Sequence, residues 1–164
     1  MRLGKAVVLK NFKWLWYVIL FSATACSSEP TNSHNLVGFY GKYVITGVEQ
    51  YRGGMTTEKE AKSKIKKEVF ICPEKFIDAD NQFKLPRYDY EAVNVEFEEG
   101  VVQSKYHSTY YGFMAERKLI HYLYLFSQDN PENIYQKYET IGKDQIMKSQ
   151  DGYFYFMKKM ATCD

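Results

Sequence analysis

Residues 145–160, QIMKSQDGYFYFMKKM, contain the clearest structural signal in the sequence. Two runs rich in strand-forming residues, 145–149 and 153–160, flank the pair Asp151-Gly152. An Asp-Gly pair in this setting is typical of a tight hairpin turn, because both central residues of that turn adopt positive φ. The stretch therefore predicts two antiparallel strands at the end of the chain.

Other segments also have the composition of strands. Residues 93–98, VNVEFE, alternate strictly between apolar and polar side chains, which predicts a strand with one buried and one solvated face. A turn at 99–100 then leads to a return strand that begins at Val101. Three more strands are predicted at 36–51, 69–72 and 118–126, the last of them strongly apolar and central in the sheet.

One short helix interrupts the strands. Thr57 can cap a helix whose first turn, 58–60, carries acids, while lysines accumulate toward 66–67 at the negative end of the helix dipole. Ala61 and Ile65 give it a narrow apolar stripe, so we expect it to lie across one end of the sheet. Many strands, one helix and local connections favour a mainly β domain, an antiparallel barrel or strongly curved sheet.

The start of this domain, residues 38–43 with the sequence GFYGKY, is followed by the long first strand. This opening resembles that of lipocalin-type barrels, although the tryptophan usual there is absent, since both tryptophans occur before residue 17. The resemblance covers about a dozen residues. It implies a lipocalin-like barrel that can enclose a small ligand.

The amino terminus has the layout of a secretory signal. Arg2, Lys5, Lys10 and Lys13 precede an uncharged segment, 14–25. Twelve residues span only about 18 Å as a helix, against roughly 30 Å of hydrocarbon in a bilayer. The segment is therefore better suited to export than to a transmembrane anchor.

Residues 23–26, ATAC, resemble the lipobox of bacterial lipoproteins, in which small residues precede the cysteine that becomes the lipidated amino terminus. The sequence departs from that pattern at Ala23, where leucine is usual. The resemblance implies a signal peptide at 1–25, a lipidated Cys26 with a flexible tether at 26–35, and one β domain at 36–164. Cleavage after Ala25 by an ordinary signal peptidase and a retained amino-terminal helix are the alternatives.

The chain has three cysteines, and an oxidising compartment leaves an odd one unpaired. Lipidation of Cys26 leaves Cys72 and Cys163, which can then form a disulfide across about 90 residues. A disulfide that closes such a loop stabilises the folded state by about 4–5 kcal/mol in the chain-entropy description. Two buried free thiols are the alternative.

Charge argues against a nucleic-acid partner. The whole chain has 22 basic and 20 acidic residues. Removal of the four basic residues of the signal leaves 18 against 20, a formal charge of −2. The basic balance of the chain therefore comes from the signal, and the mature protein lacks the excess of positive charge that is typical of nucleic-acid binding.

Tyrosine is unusually frequent, with 15 in the chain. If the leucines of strand 118–126 face the core, an aromatic stripe faces outward on the same strand. Tyrosine offers a large contact area with a polar tip, which suits protein or glycan recognition. The predicted partner-binding residues are Tyr122 and Tyr124, extended by Tyr110, Tyr111, Tyr153 and Tyr155. The alternative is that these side chains only coat the barrel wall.

The opposite face of that strand predicts a different site. Leu119, His121 and Leu123 share it, and in a barrel they could line a cavity for an apolar ligand. His121 could equally be a hydrogen-bonded core histidine. The three histidines of the chain are scattered, and 78–82 lacks the glycine and glutamate of a calcium loop, so neither a metal nor a cofactor is expected.

The sequence contains no nucleophile elbow, phosphate loop or dinucleotide fingerprint, and we expect no enzymatic activity. Small envelope lipoproteins of this kind look like periplasmic inhibitor or immunity proteins. The main hypothesis is therefore a lipid-anchored protein of a Gram-negative-type envelope, in the outer membrane and facing the periplasm or the surface, that binds another protein. A carrier of a small apolar ligand and a structural envelope lipoprotein are the alternatives.

Overall fold

The computed structural model describes residues 36–95, 100, 102–129 and 131–163, and it contains the hairpin predicted around Asp151-Gly152. Strands β8 (Gln145–Gln150) and β9 (Tyr153–Ala161) pair antiparallel across this turn. Asp151 and Gly152 have φ values of 45° and 87°. A Cβ atom on Gly152 would lie 2.6 Å from the backbone oxygen of Arg52, so the turn requires glycine for space as well as conformation.

Nine antiparallel strands form one strongly curled sheet, a half-barrel. The others are β1 (Gly41–Gln50), β2 (Glu68–Ile71), β3 (Lys75–Ile77), β4 (Gln82–Lys84), β5 (Tyr88–Asn94), β6 (Leu119–Phe126) and β7 (Ile134–Gly142). Their order across the sheet is β4-β3-β2-β1-β9-β8-β7-β6-β5. The edge strands β4 and β5 are joined by only three residues, 85–87, so the sheet must curl until its two edges approach each other at that end. The mainly β fold class is thus confirmed.

The predicted helix is present as α1 (Glu58–Ser63). Thr57 caps it in a capping box: its side chain accepts from the backbone N–H of Glu60, and the Glu60 side chain accepts from the backbone N–H of Thr57. Ala61 is its buried residue and packs in the main core. In the part of the chain that the structure describes, no helix has both the length and the apolar character needed to cross a membrane.

Several strand predictions need adjustment. The first strand begins at Gly41, and the bounds of β2 and β6 lie close to those predicted at 69–72 and 118–126. The prediction that the strand at 118–126 is central in the sheet is wrong, because β6 lies next to the edge strand β5. The strand predicted at 93–98 is β5, which starts earlier and ends at Asn94; residues 96–99 lie outside the described part. A return strand was predicted to begin at Val101. This prediction is wrong for the next residue, Val102, which lies outside any strand and is largely exposed.

Both faces of the sheet carry buried side chains. The inner, concave face holds the main core, in which the largest fully buried side chains are Tyr43, Phe76, Tyr138 and Tyr155. A second cluster on the outer face contains Val95, Ile120 and Tyr122. The interior is therefore filled by aromatic and aliphatic side chains together, and the outer face is covered in part by the chain between β5 and β6.

Cys72 and Cys163 form a disulfide, with 5.8 Å between their Cα atoms and a sequence separation of 91. The pairing was predicted and is confirmed, so the alternative of two free thiols is wrong. It joins the end of β2 to the segment after β9. The predicted signal peptide, Cys26 and the tether lie outside the described residues.

Candidate functional site

The segment between β5 and β6 folds back onto the outer face of the sheet. Its described residues include a 3-10 turn (Ser108–Tyr111), which ends at Gly112 in the left-handed region, with φ of 80°. Beyond the turn, the ring of Phe113 packs against Phe154 and Phe156 of β9, with centroid distances of 5.4 and 5.6 Å. These contacts hold residues 104–117 against the sheet, and we call this segment the outer flap.

A buried ion pair ties the outer flap to β7. Glu139 is 4% exposed, and its Oε1 accepts hydrogen bonds from the Ser108 hydroxyl at 2.7 Å and from the guanidinium of Arg117. Arg117 also donates to the Ser108 hydroxyl oxygen at 2.9 Å and to the backbone oxygen of Thr140 at 3.3 Å. Several charge-assisted hydrogen bonds therefore offset the cost of burying both charges.

A pocket of about 410 Å³ lies between the outer flap and the sheet. Glu139 and Ser108 form part of its floor. Its other charged lining residues are cationic: Arg52 after β1, Lys105 in the outer flap and Lys137 on β7. We call this space the cationic pocket.

Lys137 is the least solvated of these cations. Its ammonium donates to the backbone oxygen of Tyr106 and lies 4.4 Å from the ring centroid of Tyr122, in cation–π geometry. Burial lowers the pKa of Lys137, while the charges of Glu139 and Glu91 partly oppose this effect. A further anion near the ammonium would favour its charged form.

Aromatic side chains form one rim of the cationic pocket. Tyr51 stacks on Phe154 at 4.2 Å, and the ring of Tyr111 lies 4.6 Å from that of Tyr51. Tyr110 meets Tyr111 edge to face at 5.0 Å and is 47% exposed, and Tyr106 on the outer flap is 72% exposed. The rim thus presents large aromatic surfaces to solvent beside the cationic side chains.

His107 occupies the N-cap position of the 3-10 turn in the outer flap, without a side-chain capping hydrogen bond, and also lines the pocket. Its ring lies 5.9 Å from that of Tyr122. Burial and the nearby charge of Lys137 lower the pKa of His107, and Glu139 and Glu91 oppose this shift. The neutral imidazole is therefore favoured in the folded protein.

The predicted tyrosine stripe is only partly brought together. Tyr110 and Tyr111 lie together at the pocket rim, and Tyr124 is half-buried, its hydroxyl donating to Glu91 at 2.6 Å. The prediction that the stripe faces solvent is wrong for Tyr122, Tyr153 and Tyr155, which are 1%, 3% and 1% exposed. The side chain of Tyr122 packs in the outer cluster beneath the flap, whereas those of Tyr153 and Tyr155 point into the main core.

The predicted ligand cavity is not assembled either. Leu123 is fully buried in the packed core, and Leu119 at the start of β6 is 45% exposed. His121 lines a separate pocket of about 250 Å³, where the Tyr90 hydroxyl lies 2.6 Å from its Nδ1. Among the described residues, these three side chains therefore do not surround one cavity. Leu119 is exposed, His121 faces the separate pocket, and Leu123 is enclosed by the core.

Sequence reasoning missed most residues of the cationic pocket. Lys137 and Glu139 occur in a strand that mixes polar and apolar residues and was not predicted. Arg117 and Ser108 contact Glu139 only through the fold of the outer flap. One signal was present: Lys137 and Glu139 stand two residues apart, the spacing that puts side chains on one face of a strand.

No protein-family model matches this chain, and no curated protein or solved structure is significantly similar to it. The candidate site therefore rests on its own geometry: a pocket with an ion-paired floor, cationic walls and an exposed aromatic rim.

Proposed function

We propose that this protein is a lipid-anchored envelope protein that binds another protein through the aromatic rim of the cationic pocket. The observation that carries the proposal is the exposure of Tyr106 and Tyr110 beside Arg52 and Lys105. Tyrosine and arginine are enriched among the residues that dominate protein interfaces. The partner-binding residues of the proposal are accordingly Tyr106, Tyr110 and Tyr111.

The rim is suited to recognition because most of its rings are already held in place. Tyr51 and Tyr111 contact each other, and Phe154 and Phe113 support them from below. Rigid aromatic side chains lose little conformational entropy on binding. A protein of this size with a preformed docking surface fits the role of a periplasmic inhibitor or immunity protein, which neutralises its target by covering it.

The cellular location of the protein is a separate part of the proposal. The basic and apolar amino terminus and the sequence 23–26 support export and lipidation at Cys26. The disulfide between Cys72 and Cys163 supports an oxidising compartment. Metabolic labelling with a fatty acid tests the anchor: the wild type should incorporate the label and Cys26→Ser should not. A labelled Cys26→Ser protein, or an unlabelled wild type, would rule out this anchor.

Partner binding can be tested in the native envelope with a photo-crosslinking amino acid in the full-length protein. Placed at Tyr106 or Tyr110, it should trap one defined partner. Placed at Leu85, which is about as exposed as Tyr106 but lies between the edge strands β4 and β5, it should not. Tyr110→Ser should reduce trapping from position 106, because one of the three tyrosines of the proposed docking surface is then missing.

The purified partner should then lose its own activity when the wild-type protein is added, and less so with Tyr110→Ser. A trapping pattern that is the same at Tyr106 and Leu85 would contradict the proposed docking surface. A partner that is trapped at the rim but keeps full activity would exclude the inhibitor role and leave a structural envelope role, for which deletion should make the envelope leaky.

A further inference from the structure

We propose that the cationic pocket binds a carboxylate side chain, an aspartate or glutamate that the partner protein inserts between Lys137, Lys105 and Arg52. This inference rests on the proposed function, since it names the chemistry by which the same surface recognises its partner. The pocket volume of about 410 Å³ lies within the usual range of ligand sites, roughly 300–1,000 Å³. It therefore has room for an acidic side chain together with ordered water.

The lining has an excess of positive charge that its own carboxylate does not cancel. Among the described residues that line the pocket, Glu139 is the one carboxylate, and its Oε1 already accepts from Arg117 and Ser108. Arg117 lies behind Glu139 and is not itself part of the lining. In the described part of the chain, no carboxylate of the lining forms a hydrogen bond with Arg52, Lys105 or Lys137.

Carboxylates just outside the pocket are engaged as well. Glu91, whose charge acts on Lys137, accepts a hydrogen bond from the Tyr124 hydroxyl. Asp151, whose charge acts on Arg52, accepts from the backbone N–H groups of Met55 and Thr56. These groups moderate the positive potential of the pocket, but their oxygens are directed to other donors.

Lys137 is the central residue of the inferred site. Its position in a strand and the contacts of its ammonium with the Tyr106 carbonyl and the Tyr122 ring fix the charge at the wall of the pocket. An ammonium has three protons to donate, and the backbone oxygen accepts one of them. A carboxylate entering the pocket can accept from the others in a region partly shielded from water, where charge-assisted hydrogen bonds are strong.

A carboxylate from a protein fits this site better than a free anion because of the rim. The aromatic surface formed by Tyr106, Tyr110 and Tyr111 stands beside the cations, so a ligand that fills both needs apolar or peptide surface next to its charge. An acidic side chain on a protein surface has this combination. The rim then excludes water around the ion pair, as neighbouring contacts do at interface hot spots.

The experiment uses the full-length protein in mild detergent and two labelled peptides, hexaglutamate and hexaglutamine. Fluorescence anisotropy should show binding of the acidic peptide, no binding of the neutral one, and weaker binding as salt is raised. Lys137→Met keeps the side-chain stem and should lower the affinity at least about tenfold. Arg52→Gln changes an exposed residue, cannot disturb the core, and should lower it by a smaller factor.

The matched control is Lys84→Gln, which removes an exposed lysine from the edge strand β4 and should leave the affinity unchanged. Equal affinity of the wild type and Lys137→Met, with Arg52→Gln also unchanged, would overturn the inference. Glutarate that competes as tightly as the peptide would also overturn it, because the site would then serve free small carboxylates.

The two proposals fail in different ways. If photo-crosslinking traps a partner equally well with wild type and Lys137→Met, the proposed function stands and the carboxylate site is wrong. If the acidic peptide binds as expected but no partner is trapped at Tyr106 or Tyr110, the carboxylate-binding chemistry is right and its assignment to a partner protein is wrong.

Discussion

Lys148 and Asp78 form an ion pair inside the curled sheet, with Nζ 3.5 Å from Oδ2 and each side chain 4% exposed. Asp78 also accepts the backbone N–H groups of Asp80 and Asn81 at 2.9 and 2.8 Å. Burial lowers the pKa of Lys148, and the charge of Asp78 opposes this shift. The charged form of Lys148 therefore depends on Asp78 more than the charged form of Asp78 depends on Lys148, because Asp78 has two further hydrogen-bond donors.

Asp78→Ala should lower the free energy of unfolding by about 3–5 kcal/mol, because it leaves a buried ammonium without its carboxylate. Lys148→Met should cost less, about 1–3 kcal/mol, since Asp78 keeps two backbone donors. Urea unfolding of the oxidised protein measures both values. Glu58→Ala, which removes an exposed ion pair with Lys62, is the control and should not shift the midpoint measurably.

The losses in the free energy of unfolding caused by Asp78→Ala and by Lys148→Met should not be additive. In the double variant Asp78→Ala with Lys148→Met no unpaired charge remains, so its loss of stability should be smaller than the sum of the two single losses. Strict additivity, or an Asp78→Ala protein as stable as the wild type, would contradict the inferred role of the pair.

The disulfide should contribute a large part of the stability. Cys163→Ser opens a loop of 91 residues and should reduce the free energy of unfolding by about 4–5 kcal/mol in the chain-entropy description. Unfolding in urea with and without reductant measures the effect: the wild type should lose stability on reduction and the variant should not change further. Identical midpoints for oxidised and reduced wild type would show that the bond does not hold the termini of β2 and β9 together.

Tyr122 carries a buried hydroxyl with no hydrogen-bond partner among the described residues. Burial, together with the charge of Glu139, raises the pKa of Tyr122, so the neutral phenol is retained. Tyr122→Phe should therefore be neutral or should stabilise the fold by about 1 kcal/mol, because it removes an unsatisfied polar atom and keeps the ring under Lys137. Thermal unfolding measures this.

Two further variants serve as comparisons for Tyr122→Phe. Tyr124→Phe should cost about 1 kcal/mol, since it removes the hydrogen bond to Glu91. Tyr122→Ser should cost about 3–5 kcal/mol, because it leaves a cavity in the outer cluster. A Tyr122→Phe protein that is as destabilised as Tyr122→Ser would mean that the hydroxyl has a partner after all.

Local patterns were sufficient to predict much of the fold. The Asp151-Gly152 turn, the helix cap at Thr57 and the apolar run that forms β6 each depend on a few neighbouring residues, and all three are present. The three-residue strands β3 and β4 and the strand β7, in which polar and apolar residues are mixed, were not predicted, because their strand structure depends on the neighbours they pair with.

The candidate site depended on tertiary contacts and was predicted only in part. Alternation along β6 correctly separated Leu123 and Leu125 from Tyr122 and Tyr124, but it could not show that the outer flap would cover Tyr122. Alternation in β9 puts Tyr153 and Tyr155 on the same face of the strand. It does not show that this face is the inner one, because that depends on the direction in which the sheet curls. Tyr110 and Tyr111 were predicted from the frequency of tyrosine, and the structure places their rings in contact beside the cationic pocket, while their role in binding stays a prediction.

The fold should become less stable in acid through His107, and the direction follows from its lowered pKa. The unfolded chain binds a proton with a pKa of about 6.5, and the folded protein binds it less readily. This contribution to stability is therefore complete above pH of about 6.5 and is lost as the pH falls through the lower, folded value. Around the ring, Lys137 lowers the pKa, whereas Glu139 and Glu91 raise it. His107→Gln should consequently lose less of its melting temperature than the wild type between about pH 7 and about pH 5. An equal or larger loss in the variant would mean that acid acts through other groups, such as the ion pair of Glu139 with Arg117.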